Sequence, residues 1–209
     1  TVNNLKAVDA FGITSAASIS SSQTIDFPIT YGTTVTYEFF VQVTTASTYT
    51  YFAHDVTSQD AWNIGINSSN QLLFGNYNGG WTTFSSVGIG DGNWHFVRIT
   101  TTGSSTSLYV DGSLVGTNSS GGSVSTGSQI TNRLQSGAFK IAHLRITNGG
   151  TPPTTGIPAI SSMNQAAGSG GTLAFYDALD DIASSGTKTS DGGNVTITMS
   201  AATAAVKSG

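Results

Sequence analysis

Between Thr34 and Val43 the chain alternates with a period of two. Val35, Tyr37, Phe39, Val41 and Val43 fall on one side, and Thr36, Glu38, Phe40 and Gln42 on the other. A period of two sustained over that length predicts a β-strand in a sheet packed on one face. The stretch from Asp91 to Gly116 predicts more strands in succession. Trp94, Phe96, Val97 and Ile99 supply apolar and β-branched positions, Thr102 to Ser105 is a turn cluster, and Leu108, Tyr109 and Val110 restart the pattern. Asp111-Gly112 then predicts a two-residue hairpin turn, since both central positions of a type I′ turn need positive φ. Leu114 and Val115 begin the return strand.

Shorter runs carry the same signal elsewhere. Ile19 to Phe27 alternates loosely up to Pro28, which marks a strand exit or edge. Tyr49 to His54, then Trp62, Ile64 and Ile66, then Leu72 to Phe74 read as strands broken by Asx- and Gly-rich turns. In Phe139 to Thr147 the alternation sets Phe139, Ile141, His143 and Arg145 against Lys140, Ala142, Leu144 and Ile146. Thr172 to Tyr176 is a further strand, expected to pair with the first. Only Ile160 to Ala167 and Tyr176 to Ala183 suggest short helical pieces. Strands spaced this closely by turns predict an all-β sandwich or barrel. One antiparallel two-sheet sandwich over residues 1–183 is expected, with 151–158 as an edge-crossing linker. Residues 184–209 are expected as an outlying strand (Val195, Ile197, Met199) and a mobile tail.

Composition narrows the function more than the fold. Of 209 residues only 9% are charged, against a usual share of about 25%. A net charge of −4 is too slight to imply nucleic acid or an anionic membrane as partner. The absence of cysteine excludes disulfides and thiolate metal sites. No apolar run approaches the roughly 20 residues of a membrane span. The opening Thr1-Val2-Asn3-Asn4 lacks the basic and apolar regions of a signal peptide; removal of an initiator methionine or cleavage of a leader would each leave such a start, and a virion protein assembled in the host cytoplasm needs no leader.

The run Gly92-Asn93-Trp94-His95-Phe96-Val97-Arg98-Ile99, a polar turn, then Leu108 to Gly116 (LYVDGSLVG) resembles the central motif of laminin-G-like domains. Thr34 to Val43 is similar to an early strand of that family, and Phe139 to Thr147 to its late closing strand. Thr151-Pro152-Pro153-Thr154 resembles the connection in laminin-G-like repeats of phage tail and fibre proteins. The resemblance spans about residues 10 to 180 and implies a concanavalin A-like jelly-roll sandwich. It also implies calcium at the sandwich rim in some members.

Candidate chemistry is sparse. Glycoside hydrolysis on such a scaffold needs two carboxylates facing one cleft, and Glu38 is the sole glutamate. It reads as a polar residue on an outer or partly buried strand face. Asp91 and Asp111 sit in turns that account for them. His54, His95 and His143 lie on three separate strands without metal-ligand spacing, and His95 is expected to partner a main-chain carbonyl. Hard cations take oxygen donors from loops, which makes Asp55, Asp60 and Asn63 the calcium candidates, unless they merely solvate their loop. Sugars stack on exposed aromatics while amides bond their hydroxyls, so Tyr77, Asn78 and Trp81 form a candidate glycan site. Alternatively, Trp81 opens the next strand and covers the core edge.

The expected protein is therefore a non-enzymatic surface structural or adhesion module of a virion, as a capsid decoration or tail-fibre element. Its expected partners are capsid or fibre proteins, other copies of itself, and a cell-surface glycan. A secreted or cell-surface carbohydrate-binding module is the alternative, and a degenerate glycoside hydrolase a weaker one.

Overall fold

The computed structural model describes residues 11, 13, 15–19, 24–43, 49–55, 62–76, 80–86, 88–102, 105–119, 129–134, 139–182, 185–200 and 204–207. For residues 15, 49–55, 62–63, 75–76, 80–86, 129–133, 200 and 204–207 the description is of backbone. In chain order the strands are β1 (Ser15–Ile19), β2 (Thr24–Thr30), β3 (Thr34–Val43), β4 (Tyr49–Asp55), β5 (Trp62–Asn67), β6 (Gln71–Asn76), β7 (Gly80–Ser86) and β8 (Trp94–Thr102). They continue as β9 (Ser105–Val110), β10 (Ser113–Asn118), β11 (Gln129–Leu134), β12 (Phe139–Thr151), β13 (Ser169–Asp177), β14 (Gly186–Thr189), β15 (Thr196–Ser200) and β16 (Ala204–Lys207). They form two antiparallel sheets. The first has the order β10-β9-β8-β3-β12-β1-β16 with β13 on β12, and the second β14-β15-β2-β11-β4-β5-β6-β7. This is the expected concanavalin A-like sandwich.

The two inner faces follow the alternation read from the chain. Val35, Tyr37, Phe39, Val41 and Val43 of β3 are buried against Ile25, Phe27, Ile64, Ile66 and Phe74 of the second sheet. Phe27 stacks on Phe175 of β13 with ring centroids 4.4 Å apart, which ties the sheets directly. The β9–β10 hairpin turns at Asp111 and Gly112 with φ of 50° and 79°, the positive pair that a type I′ turn requires.

Three expectations give way to longer-range pairing. The even alternation of β12 breaks between Ala142 and Arg145, where the register with β3 shifts and His143 takes φ 51°. This bulge puts Leu144 and Ile146 into the main core with Phe139 and Ile141. Arg145 moves to the opposite face, where it meets Glu38. Strand β13 pairs with β12, not with β1, and β1 instead lies between β12 and β16.

The third correction concerns the C-terminal strand. Strand β15 is no outlier, because it pairs with β2 inside the second sheet and Ile197 is fully buried in the main core. Lys188 on neighbouring β14 bonds Asp177 Oδ2 at 2.9 Å and also reaches Asp181. The segment is thus fastened by packing and charge together. Of the two helical pieces, the first shortens to a single 3-10 turn at Ile160–Ser162. Tyr176 and Asp177 close a strand rather than open a helix.

The outer face of the first sheet is covered as well. Residues 151–168 form a strap across it, and a second cluster packs Ile13, Ala16, Phe40, Trp94, Phe96, Ala142, Met163 and Tyr176 there. The strap is seated tightly at its return. A Cβ on Gly168, which has φ of +73°, would lie 2.0 Å from the Thr151 carbonyl oxygen.

Candidate functional site

The residues singled out in the sequence cluster along β4 to β7. Tyr77, Asn78 and Asp60 lie outside the described residues. Asp55 ends β4, Asn63 is the second residue of β5, and Trp81 the second of β7. Trp81 therefore belongs to a strand and not to the loop before it.

The ladder arranges these positions in a row. Arg133 pairs with His54, His54 with Asn63, Asn63 with Gly75, and Gly75 with Trp81. On the other side Arg133 pairs with Asp26, and Asp26 with Thr198. One step along the strands, Ile64 pairs with Phe74, and both are buried in the core between the sheets. Because successive residues of a strand take opposite faces, the Arg133-to-Trp81 row falls on the outer face of the second sheet. In ladder order the row reads Arg133, His54, Asn63, Gly75 and Trp81. Asp55 lies one step away, paired with Asn132. The register thus brings Asn63 and Trp81 into one row and adds His54 and Arg133, which the sequence reading had not joined to them.

The first sheet holds the buried ionic chemistry. Glu38 is fully buried and faces Arg98 in β8 and Arg145 in β12 at adjacent ladder positions. Arg98 Nε donates to Glu38 Oε1 at 2.7 Å, and Arg145 Nε donates to Oε2 at 2.5 Å. The remaining contacts run to the strap. Arg98 Nη1 donates to the Thr155 carbonyl at 3.2 Å, and Arg145 Nη1 to the Ser162 and Gln165 carbonyls at 3.0 Å each. Arg98 also lies 5.2 Å from the Phe96 ring centroid and 5.8 Å from that of Tyr109. Glu38 thus lies on the outer face of the first sheet, as expected, but it is completely buried beneath the strap, and its carboxylate is engaged on both oxygens. The arginines were missed in the sequence, although charges inside apolar strands of so uncharged a chain were the available signal.

His95 also departs from expectation. Its Nδ1 lies 2.8 Å from Asp111 Oδ2 and its Nε2 3.1 Å from Asp91 Oδ1. It therefore bridges two carboxylates and not a main-chain carbonyl. Asp111 Oδ1 also accepts the Phe96 amide at 2.9 Å, and Asp91 Oδ1 accepts that of Asn93 at 2.8 Å. Partial burial opposes the charged imidazole, but the bonds to Asp111 and Asp91 outweigh it and raise the His95 pKa above its ordinary value. For Asp91, burial is likewise outweighed by the bonds from Asn93 and His95, and its pKa is lowered.

The signs fix a pH window. A raised histidine pKa stabilises the fold fully below the unfolded value of about 6.5, and the stabilisation fades as pH rises through the folded value. A lowered aspartate pKa stabilises above about 3.8 and fails as pH falls through the folded value. His95→Gln is therefore expected to lower the melting temperature most near pH 5–6 and least above about pH 8. Melting curves of both proteins across that range test this; a pH-independent difference would remove the ionic role.

His143 Nδ1 lies 3.0 Å from the Tyr176 hydroxyl, with the two rings stacked. Burial lowers its pKa, against the pull of Asp180 and Asp191. Among the described residues no group of three or more His, Cys, Asp or Glu is disposed to hold a metal ion.

Comparisons place this architecture among known folds. A family model described as the concanavalin A-like lectin/glucanases superfamily, Laminin_G_3, matches residues 12–149. No curated protein matches the chain. Among solved structures, a candidate carbohydrate binding protein from Bacteroides ovatus is similar at TM-score 0.66 and 14% identity over 93% of this chain. This chain spans 60% of that one. A native heptameric SAP-like pentraxin from Limulus polyphemus aligns at TM-score 0.50 and 13% identity, covering 90% of this chain and 96% of its own.

Proposed function

Because the chain belongs to the Laminin_G_3 family of the concanavalin A-like lectin/glucanases superfamily, we propose that it is a carbohydrate-binding module that holds glycans without cleaving them. The row from Arg133 through His54, Asn63 and Gly75 to Trp81 carries this reading. An indole offers a sugar ring an apolar platform with a polar edge. Amide and guanidinium groups supply donors and acceptors for hydroxyls. The B. ovatus neighbour's description as a candidate carbohydrate binding protein supports the same reading. Glycoside hydrolysis normally takes two carboxylates flanking the bond, whereas Glu38 is sealed between two arginines. This supports binding over turnover.

The module is displayed on a particle surface, as a capsid decoration or tail-fibre element of a virion, with fibre or capsid proteins and further copies of itself as neighbours. The low charge of the chain supports this placement. So do β10, β7 and β14, each ending a sheet path, because edges of this kind invite lateral pairing. Repeated display also suits weak single sites, since linked contacts multiply avidity. The oxygens of Asp55, Asp60 and Asn63 are the proposed donors for calcium.

The test is glycan-array binding with a multivalent display, in the presence of calcium and of a chelator. Trp81→Ala is expected to abolish array binding and to weaken monovalent affinity by about tenfold, equivalent to ~1.4 kcal/mol. Its melting temperature should stay near that of the parent. Equal binding by parent and variant, or unfolding of the variant, refutes the placement of the site. Reducing-sugar release from glucans refutes the non-catalytic reading.

A further inference from the structure

Beneath the strap lies a cavity of about 250 Å³, lined by Arg98, Arg145, Pro153, Ile157, Pro158 and Gln165 among others. It is on the first sheet, away from the row on the outer face of the second. Its charge is unbalanced, with two guanidinium cations meeting one carboxylate, that of Glu38. The two arginines also differ in satisfaction. Arg145 spends its nitrogens on Glu38 and on the Ser162 and Gln165 carbonyls. Arg98 uses Nε and Nη1, and its Nη2 has no acceptor among the described residues. Arg98 is itself only 2% exposed, so the unmatched charge is held where water screens it poorly.

We propose that this cavity is a second ligand site, which takes the carboxylate of a small hydroxylated acid, of the class of a uronic-acid monosaccharide. One uncompensated positive charge calls for a monoanion. A carboxylate accepts from the free edge of a guanidinium in a charge-assisted bond. The side-chain amide of Gln165, at the wall, offers a donor and an acceptor to a neighbouring hydroxyl. Pro153, Ile157 and Pro158 give apolar contact to the ring. The arginine is already fixed by Glu38, Thr155 and the Phe96 and Tyr109 rings. Little side-chain freedom is therefore lost on binding.

The experiment is a titration of the full chain with glucuronate, glucose, acetate and sulfate, followed by nuclear magnetic resonance of the arginine Nε and glutamine side-chain amide groups. Glucuronate is expected to shift Arg98 and Gln165 and to bind about tenfold more tightly than acetate, equivalent to ~1.4 kcal/mol. Glucose should leave these signals unmoved. Gln165→Ala removes an exposed side chain and is expected to weaken glucuronate severalfold while leaving acetate unchanged. Ile157→Trp, which narrows the mouth, should abolish both. The proposal is overturned if glucuronate moves neither residue, if glucose matches it, or if Ile157→Trp binds as the parent does. Equal competition by sulfate and acetate overturns the hydroxy-acid class and leaves a simple anion site. These signals belong to the first sheet, so their failure is separable from a failure of array binding at Trp81.

Discussion

Glu38→Gln is expected to destabilise the fold by about 3–5 kcal/mol, because it leaves buried arginine charges without their counter-ion. The side chain is completely buried, and both oxygens accept from arginines on flanking strands. A glutamine amide keeps one acceptor and places a donor against a guanidinium. Arg98 and Arg145 are 2% and 3% exposed and cannot turn to solvent without lifting the strap. Set against a total stability of roughly 5–15 kcal/mol, this is a large loss. It should appear in urea melts as a lower midpoint with an unchanged slope. Replacing all three residues with apolar ones of similar size should recover much of it, as an apolar core often equals or exceeds a buried ion network. An unchanged midpoint in Glu38→Gln would mean that the network is hydrated and contributes nothing.

The second large effect is expected for Trp94→Ala, at about 3–5 kcal/mol. Trp94 is 6% exposed and packs with Phe40, Phe96, Ala142 and Met163 on the strap side of the first sheet. The cavity opens between the sheet and its cover, so the strap loosens while the inter-sheet core stays intact. Far-UV circular dichroism should retain the β signature while the melting temperature drops. A variant that melts with the parent would take Trp94 out of any packed cluster.

What the sequence showed and what it hid follow from the range of the interactions involved. The alternation of Val35 to Val43 and the Asp111-Gly112 turn are set by neighbours in the chain, and both formed as read. The bulge at His143 was hidden because FKIAHLRIT alternates evenly and no glycine marks the positive φ. Only the demand of Glu38, 107 positions away, for Arg145 makes sense of the reversal. The covered outer face was hidden for a related reason. Phe40, Trp94 and Phe96 alternate out of phase with the inter-sheet core, and the strap that buries them comes later in the chain. The row from Arg133 to Trp81 depends on four pairings between strands and cannot be seen in any one of them.

The strand order also governs how the protein is made. Strand β15 lies between β14 and β2, and β16 pairs with β1, so an early part of each sheet waits for a partner from the far end. On the ribosome, β2 emerges long before β15 and stays unpaired on that side until synthesis reaches Ser200. Such late, non-local pairing makes for slow folding, on the scale of milliseconds to seconds. During that wait the open edge of β2, carrying Ile25 and Phe27, is exposed to aggregation or to capture by a chaperone.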